Sequence, residues 1–205
     1  MNRTNKALIL ALAIGAAFFR LPLRGDITGA VDGLVKDAAT GQLLEGVKIA
    51  KAPSEAVLYY YRGYGLERSG KSDQALEDYR KAIELKADFV LPLTRSGIVL
   101  AKKGAFDKAS EFYRRAVDLK DRDPETYYNY GVCLVNTGKK DEARGAFERL
   151  LALDPYYSDG YYQLGIIFLG SGDSAKAKAL LLKFVELDPD NPNAALAKEI
   201  LKSLN

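Results

Sequence analysis

Between Ala56 and Asn191 the apolar and polar positions follow a pattern that recurs every 34 residues without insertion, giving units 56–89, 90–123, 124–157 and 158–191. In each unit the eighth position is glycine (Gly63, Gly97, Gly131, Gly165), and so is the fifteenth (Gly70, Gly104, Gly138, Gly172). The twentieth is Ala75, Ala109, Ala143 and Ala177; the thirtieth is Leu85, Leu119, Leu153 and Leu187. A fixed period of this length predicts an array of supersecondary units that bury their apolar faces against one another. After the last unit, Ala195, Leu196, Ile200, Leu201 and Leu204 fall at helical spacing, with Lys198, Glu199 and Lys202 opposite. That pattern predicts an amphipathic helix over 192–205 that closes the array. Before the first unit the texture changes. Residues 7–19 are an uncharged apolar run, and residues 25–53 are rich in Gly and β-branched residues, with Val47 and Ile49 alternating as in a strand.

The four-unit pattern resembles the tetratricopeptide repeat, and the resemblance covers about two-thirds of the chain. It implies an all-α fold: a right-handed superhelical solenoid of four helical hairpins, each made of a helix A and a helix B, plus a C-terminal capping helix. The repeat positions then acquire mechanical roles. Gly at eight and Ala at twenty face each other where helices A and B cross. Gly at fifteen ends helix A in a left-handed conformation. The aromatics Tyr79, Tyr113 and Phe147 at twenty-four fill the space between consecutive hairpins. Pro155 and Pro189 stop helix B, while Asp123-Pro124 and Asn191-Pro192 read as a cap followed by the first helical residue. Some positions depart from the family. Position seven is Arg62, Ser96 and Tyr130 before Leu164 restores the usual Leu, and Leu150 and Phe184 replace the usual Ala at twenty-seven.

Charge locates a further segment. The formal net charge is +3, but residues 1–24 alone contribute +4 through Arg3, Lys6, Arg20 and Arg24, which leaves the remainder at −1. A basic start followed by the apolar run Ala7–Phe19 reads as a secretory signal peptide or, extended to Leu23, as an uncleaved anchor that attaches the chain to a membrane. Either predicts export, to the periplasm or the outer face of a bacterial inner membrane. Within 25–55, the stretch Gly33–Ile49 resembles the opening of carboxypeptidase-regulatory-like β modules through its Thr40-Gly41 turn and its Leu44-Glu-Gly46-Val47-Lys-Ile49 strand. A short β-hairpin and a flexible linker are both compatible with it.

Chemistry is narrowed by what is missing. The chain has no His and no Trp, and Cys133 is its single cysteine. Without imidazole the commonest designs for general-base, metal-ligand and nucleophile chemistry are absent. Ser54, Ser69 and Ser171 have no His to activate them, and acid pairs such as Asp188–Asp190 stand at unit boundaries, where caps belong. No phosphate-cradling glycine loop follows a strand. Cys133, between Val132 and Leu134, reads as a buried structural thiol. The sequence therefore predicts no catalytic residue, no metal and no cofactor. Nucleic acid is also disfavoured, because the densest basic cluster, Lys102, Lys103, Arg114 and Arg115, is flanked by Glu111 and Asp118.

What the resemblance implies instead is a protein or peptide partner held on the concave side, which helix A lines. Its groove positions give Tyr60, Tyr64 and Arg68 from the first unit and Arg95, Ile98 and Lys102 from the second. The third supplies Tyr128, Asn129, Val132 and Asn136, and the fourth Tyr162, Gln163 and Ile166. Tyrosine presents large area at low entropic cost with a hydroxyl for orientation, which suits recognition. Family members that hold acidic C-terminal tails use a carboxylate clamp of Lys, Asn and Arg. Here the two clamp frames read Tyr60, Tyr64, Arg95, Glu125, Asn129 and Thr94, Ile98, Asn129, Asp159, Gln163, so the cations are missing. Self-association into a homo-oligomer is the alternative use of the same surfaces.

Overall fold

A computed structural model describes residues 54–119 and 122–204. The leader and the β-hairpin expected before the repeats lie outside the described residues. All regular secondary structure among the described residues is helical: α1 (Glu55–Arg68), α2 (Ser72–Leu85), α3 (Val90–Lys102), α4 (Phe106–Asp118), α5 (Pro124–Asn136), α6 (Lys140–Leu153), α7 (Ser158–Gly170), α8 (Ser174–Leu187) and α9 (Ala194–Ser203). The chain divides into two compact units, one ending at Ala87 and the other beginning at Asp88. In the first, the described residues form the hairpin α1–α2. The second stacks α3–α4, α5–α6 and α7–α8 and ends in α9.

Each hairpin turns on its fifteenth residue. Gly70, Gly104, Gly138 and Gly172 have φ of 76°, 75°, 77° and 84°, the left-handed region that a Cβ penalises. The turn is a Schellman motif in all four hairpins. In the third, the Gly138 amide donates to the Val135 carbonyl and the Lys139 amide to the Leu134 carbonyl, which satisfies two orphan acceptors at the end of α5. Helix B then begins with the very next residues, so the sequence gap between paired helices is set by this motif.

Where helices A and B cross, the nearest neighbour of the eighth position is the large residue at twenty-four. A Cβ on Gly63 would lie 2.8 Å from the ring of Tyr79, on Gly97 2.7 Å from Tyr113, and on Gly131 2.6 Å from Phe147. The eighth position thus makes room for the bulky residue at twenty-four of its own hairpin. In α7–α8 the same space takes Leu181, at 2.8 Å from a Cβ on Gly165, with the Ala177 carbonyl further off at 3.6 Å. The aromatics are therefore buried inside a hairpin, and in the second unit Tyr113 also packs on Cys133 and Phe147 on Leu164 of the next one; Tyr79, Tyr113 and Phe147 are 0 to 1% exposed. Fully burying such a ring contributes roughly 1.5–3 kcal/mol.

In the second unit the core is continuous through successive hairpins. Phe147, Leu150, Ala143 and Leu134 pack with Leu164 of the next hairpin. The leucine at position twenty-seven, larger than the usual alanine, is matched by Gly160, whose absent Cβ would lie 2.9 Å from Leu150 Cδ2. Phe184, at the same position one unit later, packs on Ala194, Ala197 and Leu201 of α9, which caps the array.

The start of α9 departs from expectation. Asn191-Pro192 does not open the helix; Asn193 is its N-cap, and Asn191 Oδ1 accepts from the Asn193 amide. The buried stripe of α9 is Ala194, Ala197 and Leu201, and Leu196, expected on it, is 54% exposed. At Asp123-Pro124 the sequence reading holds: the Asp123 carboxylate accepts from the Glu125 amide and Pro124 is the first helical residue. Cys133 is 1% exposed, and burial pushes its thiol up to about 11.

Candidate partner-binding face

In the first unit, α1 carries a run of tyrosines. The Tyr60 and Tyr64 rings stack with centroids 6.5 Å apart and planes 20° from parallel, and Tyr61 meets Tyr60 edge-on at 5.1 Å. Tyr60 also reaches back to the buried Tyr79 at 6.1 Å, so its inner edge is anchored. Tyr61 is 63% exposed and Tyr64 37% exposed. Arg68 is exposed in the last turn, where a cation suits the helix C-terminus. On another side of α1, Arg62 forms a two-pronged ion pair with Asp78 of α2, and Tyr59 holds Arg62 at 5.1 Å and Lys81 at 5.3 Å over its ring. A shallow open depression lies there, lined by Arg62, Leu66, Gln74, Glu77, Asp78 and Lys81.

In the second unit the candidate residues divide by depth. Ile98 packs against Ala109, Tyr113 and Cys133, and Val132 against the Phe147 cluster, so both contribute one flank to the core. Arg95, Asn129, Gln163 and Ile166 are half-buried, and Lys102 is exposed. Asn136 is exposed and donates from Nδ2 to the Val132 carbonyl at 2.8 Å, a contact within its own helix. Tyr162 lays its ring against Phe184 at 5.1 Å. Tyr128 is tilted against Phe147 at 6.1 Å, and Gln163 of α7 lies close enough to bear on its phenol. The structure thus brings Tyr128 together with Gln163, and Tyr60 together with Tyr64.

One contributor has no counterpart among the residues expected from the sequence. Tyr157, the last residue of its unit and the N-cap of α7, faces Tyr128 at 5.3 Å between ring centroids. Its signal is weak, because the thirty-fourth position is Phe89, Asp123, Tyr157 and Asn191 across the units. Burial pushes the Tyr157 phenol up to about 12, with Tyr128, Glu125, Asp159 and Asp123 adding to the effect. Tyr128 is raised as well, by burial first and then by Asp159, with Gln163 acting in the opposite direction. Asp159 is itself held by Asn191, whose Nδ2 donates to Oδ1 at 3.2 Å. Chemically the face offers aromatic surface, amides and carboxylates. Among the described residues no group of three His, Cys, Asp or Glu side chains could hold a metal ion, and no helix is long and apolar enough to cross a membrane.

Comparison with known proteins agrees with this architecture. No curated protein sequence matches the chain. Among solved structures, MamA superposes with a TM-score of 0.66 at 25% identity, over 73% of this chain and 85% of that one. PilF of Pseudomonas aeruginosa gives 0.60 at 25% identity, over 72% of this chain and 68% of PilF. The first TPR of Spaghetti (RPAP3), bound to the HSP90 peptide SRMEEVD, shares the fold at 22% identity with a TM-score of 0.53, over 57% of this chain and 93% of that one. Residues 56–89 match the tetratricopeptide repeat family model. Residues 102–204, half of the chain, match the cilia and flagella-associated protein 70 middle TPR-like domain, and the chain belongs to this family of tetratricopeptide-repeat proteins.

Proposed function

We propose that the protein is a non-catalytic scaffold that holds an extended peptide or a helix of a partner protein against its A helices, and that it works in the bacterial envelope after export. The observation that carries the first part is the ring contact between Tyr128 of α5 and Tyr157, the N-cap of α7, 5.3 Å apart between centroids. It ties side chains of successive A helices into one half-buried polar and aromatic face, which favours a ligand that crosses several helices. Asn129 and Ile166, half-buried on the same two helices, supply further amide and apolar contacts. The RPAP3 domain holds the acidic peptide SRMEEVD. Here the clamp cations are replaced by Tyr60, Glu125 and Asn129 in one frame and by Thr94, Asp159 and Gln163 in the other, so the ligand differs in charge. The export part rests on Arg3 and Lys6 ahead of the apolar run 7–19.

Site-specific photocrosslinking of the full chain in its native host tests the reading, with a crosslinking residue at Asn129 or Gln163 and, separately, at the exposed Glu148 of α6. A partner captured from the first two positions and not from the third supports an A-helix scaffold, and the cell fraction in which the adduct is found tests export. Capture from Glu148 alone moves binding to the B helices. Adducts containing only this chain make the protein self-associating.

A further inference from the structure

We infer that the partner segment held by the second unit is an amphipathic α-helix, laid across α3, α5, α7 and α9 with apolar residues at heptad spacing and Lys or Arg along one flank. The inference rests on the scaffold reading above and decides between its two forms of ligand. Ile98, Val132, Ile166 and Ile200 stand 34 residues apart, one on each of the four helices, and all are half-buried. Ile98, Val132 and Ile200 each rest one flank on a core cluster and keep part of their surface open. One turn earlier on three of the helices come Tyr128, Tyr162 and Leu196, so a second row runs beside the first. Leu196 is 54% exposed on the helix that closes the array, and in this row it extends the apolar face beyond α7.

Spacing selects the conformation of the ligand. Successive A-type helices share core clusters: α3 with α5 through Ile98 and Cys133, α5 with α7 through Val132 and Leu164, and α7 with α9 through Tyr162 and Ala197. Helices packed in this way lie about 8–10 Å apart. Two turns of an α-helix advance about 10.5 Å and return a side chain to nearly the same face. A ligand helix therefore meets the first row with one apolar residue per heptad. Its residues one turn away meet the second row, about 6 Å along each A helix. A strand repeats its face about every 6.6 Å and falls out of step. A polyproline helix keeps step but offers one narrow ridge to two rows. Charge then sets the flank. Glu125 and Asp159 stand in the first turns of α5 and α7, one turn before Tyr128 and Tyr162, while Lys102 stands in the last turn of α3. The edge along the first turns is acidic, so a ligand helix complements it with Lys or Arg on that side.

The test is selection, on the full chain, of a phage-displayed library tiling the native host's proteome in segments of about 30 residues, long enough as helix to cross all four. The enriched segments are then measured on the Leu196→Asp and Glu125→Lys variants. Both positions are exposed, and circular dichroism checks that helicity is unchanged. The expected segments carry apolar residues in a heptad pattern with Lys or Arg along one flank. A synthetic copy should gain helicity on binding and lose binding when a residue at its middle becomes Pro. It should bind about tenfold more weakly to Leu196→Asp, and more weakly to Glu125→Lys as well. Enriched segments without the heptad pattern, or whose binding tolerates the Pro, overturn the helix and leave the scaffold standing. Helical segments that bind both variants as tightly as the wild type overturn their placement on this face. No enrichment on the wild type overturns both the helix and the scaffold.

Discussion

The ring of Phe147 fills the space in which a side chain at Gly131 would stand, with Cε1 and Cζ both 2.6 Å from an ideal Cβ. The two residues are sixteen apart, on opposite helices of one hairpin, and neither is adjustable alone. Gly131→Ala should cost about 1–3 kcal/mol, the usual penalty for overfilling a packed core. The fourth hairpin indicates how the chain solves the same problem differently, because Gly165 faces Leu181 there. A thermodynamic cycle with Phe147→Leu, which replaces the flat ring by a shape already used in this space, should show Gly131→Ala costing less in the Leu background. Equal costs in both backgrounds, measured by denaturant unfolding, would mean that the ring is not what excludes the methyl group.

This pair also marks how far the fold is legible in the chain. The 34-residue period specifies the helix pairs and their turns, because a glycine recurring at the end of each helix A supplies the left-handed residue that a Schellman turn demands. Partners across the crossing are less legible. Smallness points from position eight to position twenty, and does not show that the closest neighbour is the large residue at twenty-four. At the C-terminus, Asn191-Pro192 carries the same signal as Asp123-Pro124, yet Asn191 is engaged by Asp159 and Asp188 and the helix starts later. Contacts from distant residues decide that case, and no local pattern records them. Tyr157 is hidden for the same reason: its role depends on facing Tyr128, 29 positions away in sequence.

Two glycines of the third hairpin should respond to alanine in opposite directions. Around both Gly138 and Gly145 a Cβ would meet nothing within 4 Å, so packing does not distinguish them. Gly138 has φ of 77° in the turn, and Gly145 is in the interior of α6. Gly138→Ala should cost roughly 1–2 kcal/mol for the left-handed conformation alone. Gly145→Ala should gain about 0.5–1 kcal/mol from helix propensity and reduced unfolded-state entropy. Melting temperatures of the two variants should therefore bracket the wild type. A fall at Gly145 would show that its exposed surface is not free of other demands.

Cys133 gives the protein an alkaline limit. Its thiol rises in the folded state from 9.0 to about 11, because burial disfavours the thiolate. A group whose folded value is raised contributes stability that is fully present below the unfolded value and is lost as pH climbs through the folded one. Stability should therefore decline between about pH 9 and pH 11, by up to roughly 1–3 kcal/mol. Cys133→Ala should flatten that slope in denaturant unfolding followed across pH. The same burial predicts that iodoacetamide labels Cys133 in the native chain only as fast as the surrounding helices open. Rapid labelling at neutral pH would contradict the buried placement.

Arg62 shows why restoring a family residue can harm a protein. Position seven is usually Leu in this repeat, and Arg62→Leu looks like a repair. Asp78 is 3% exposed, however, and both prongs of the Arg62 guanidinium answer its carboxylate. Removing the cation leaves a buried charge without that partner, which costs more than the added apolar surface returns. Arg62 itself is half-exposed, so solvent softens the loss to about 2 kcal/mol. Arg62→Leu/Asp78→Ala removes both charges and should recover most of it, since an apolar replacement of a buried pair is often neutral. Hydrogen exchange of the α1 and α2 amides is the measurement, because it reports on this hairpin separately from the second unit. Faster exchange in the single variant, returning towards wild type in the double, is the expected order; a single variant as protected as wild type would show that water reaches Asp78 without the arginine.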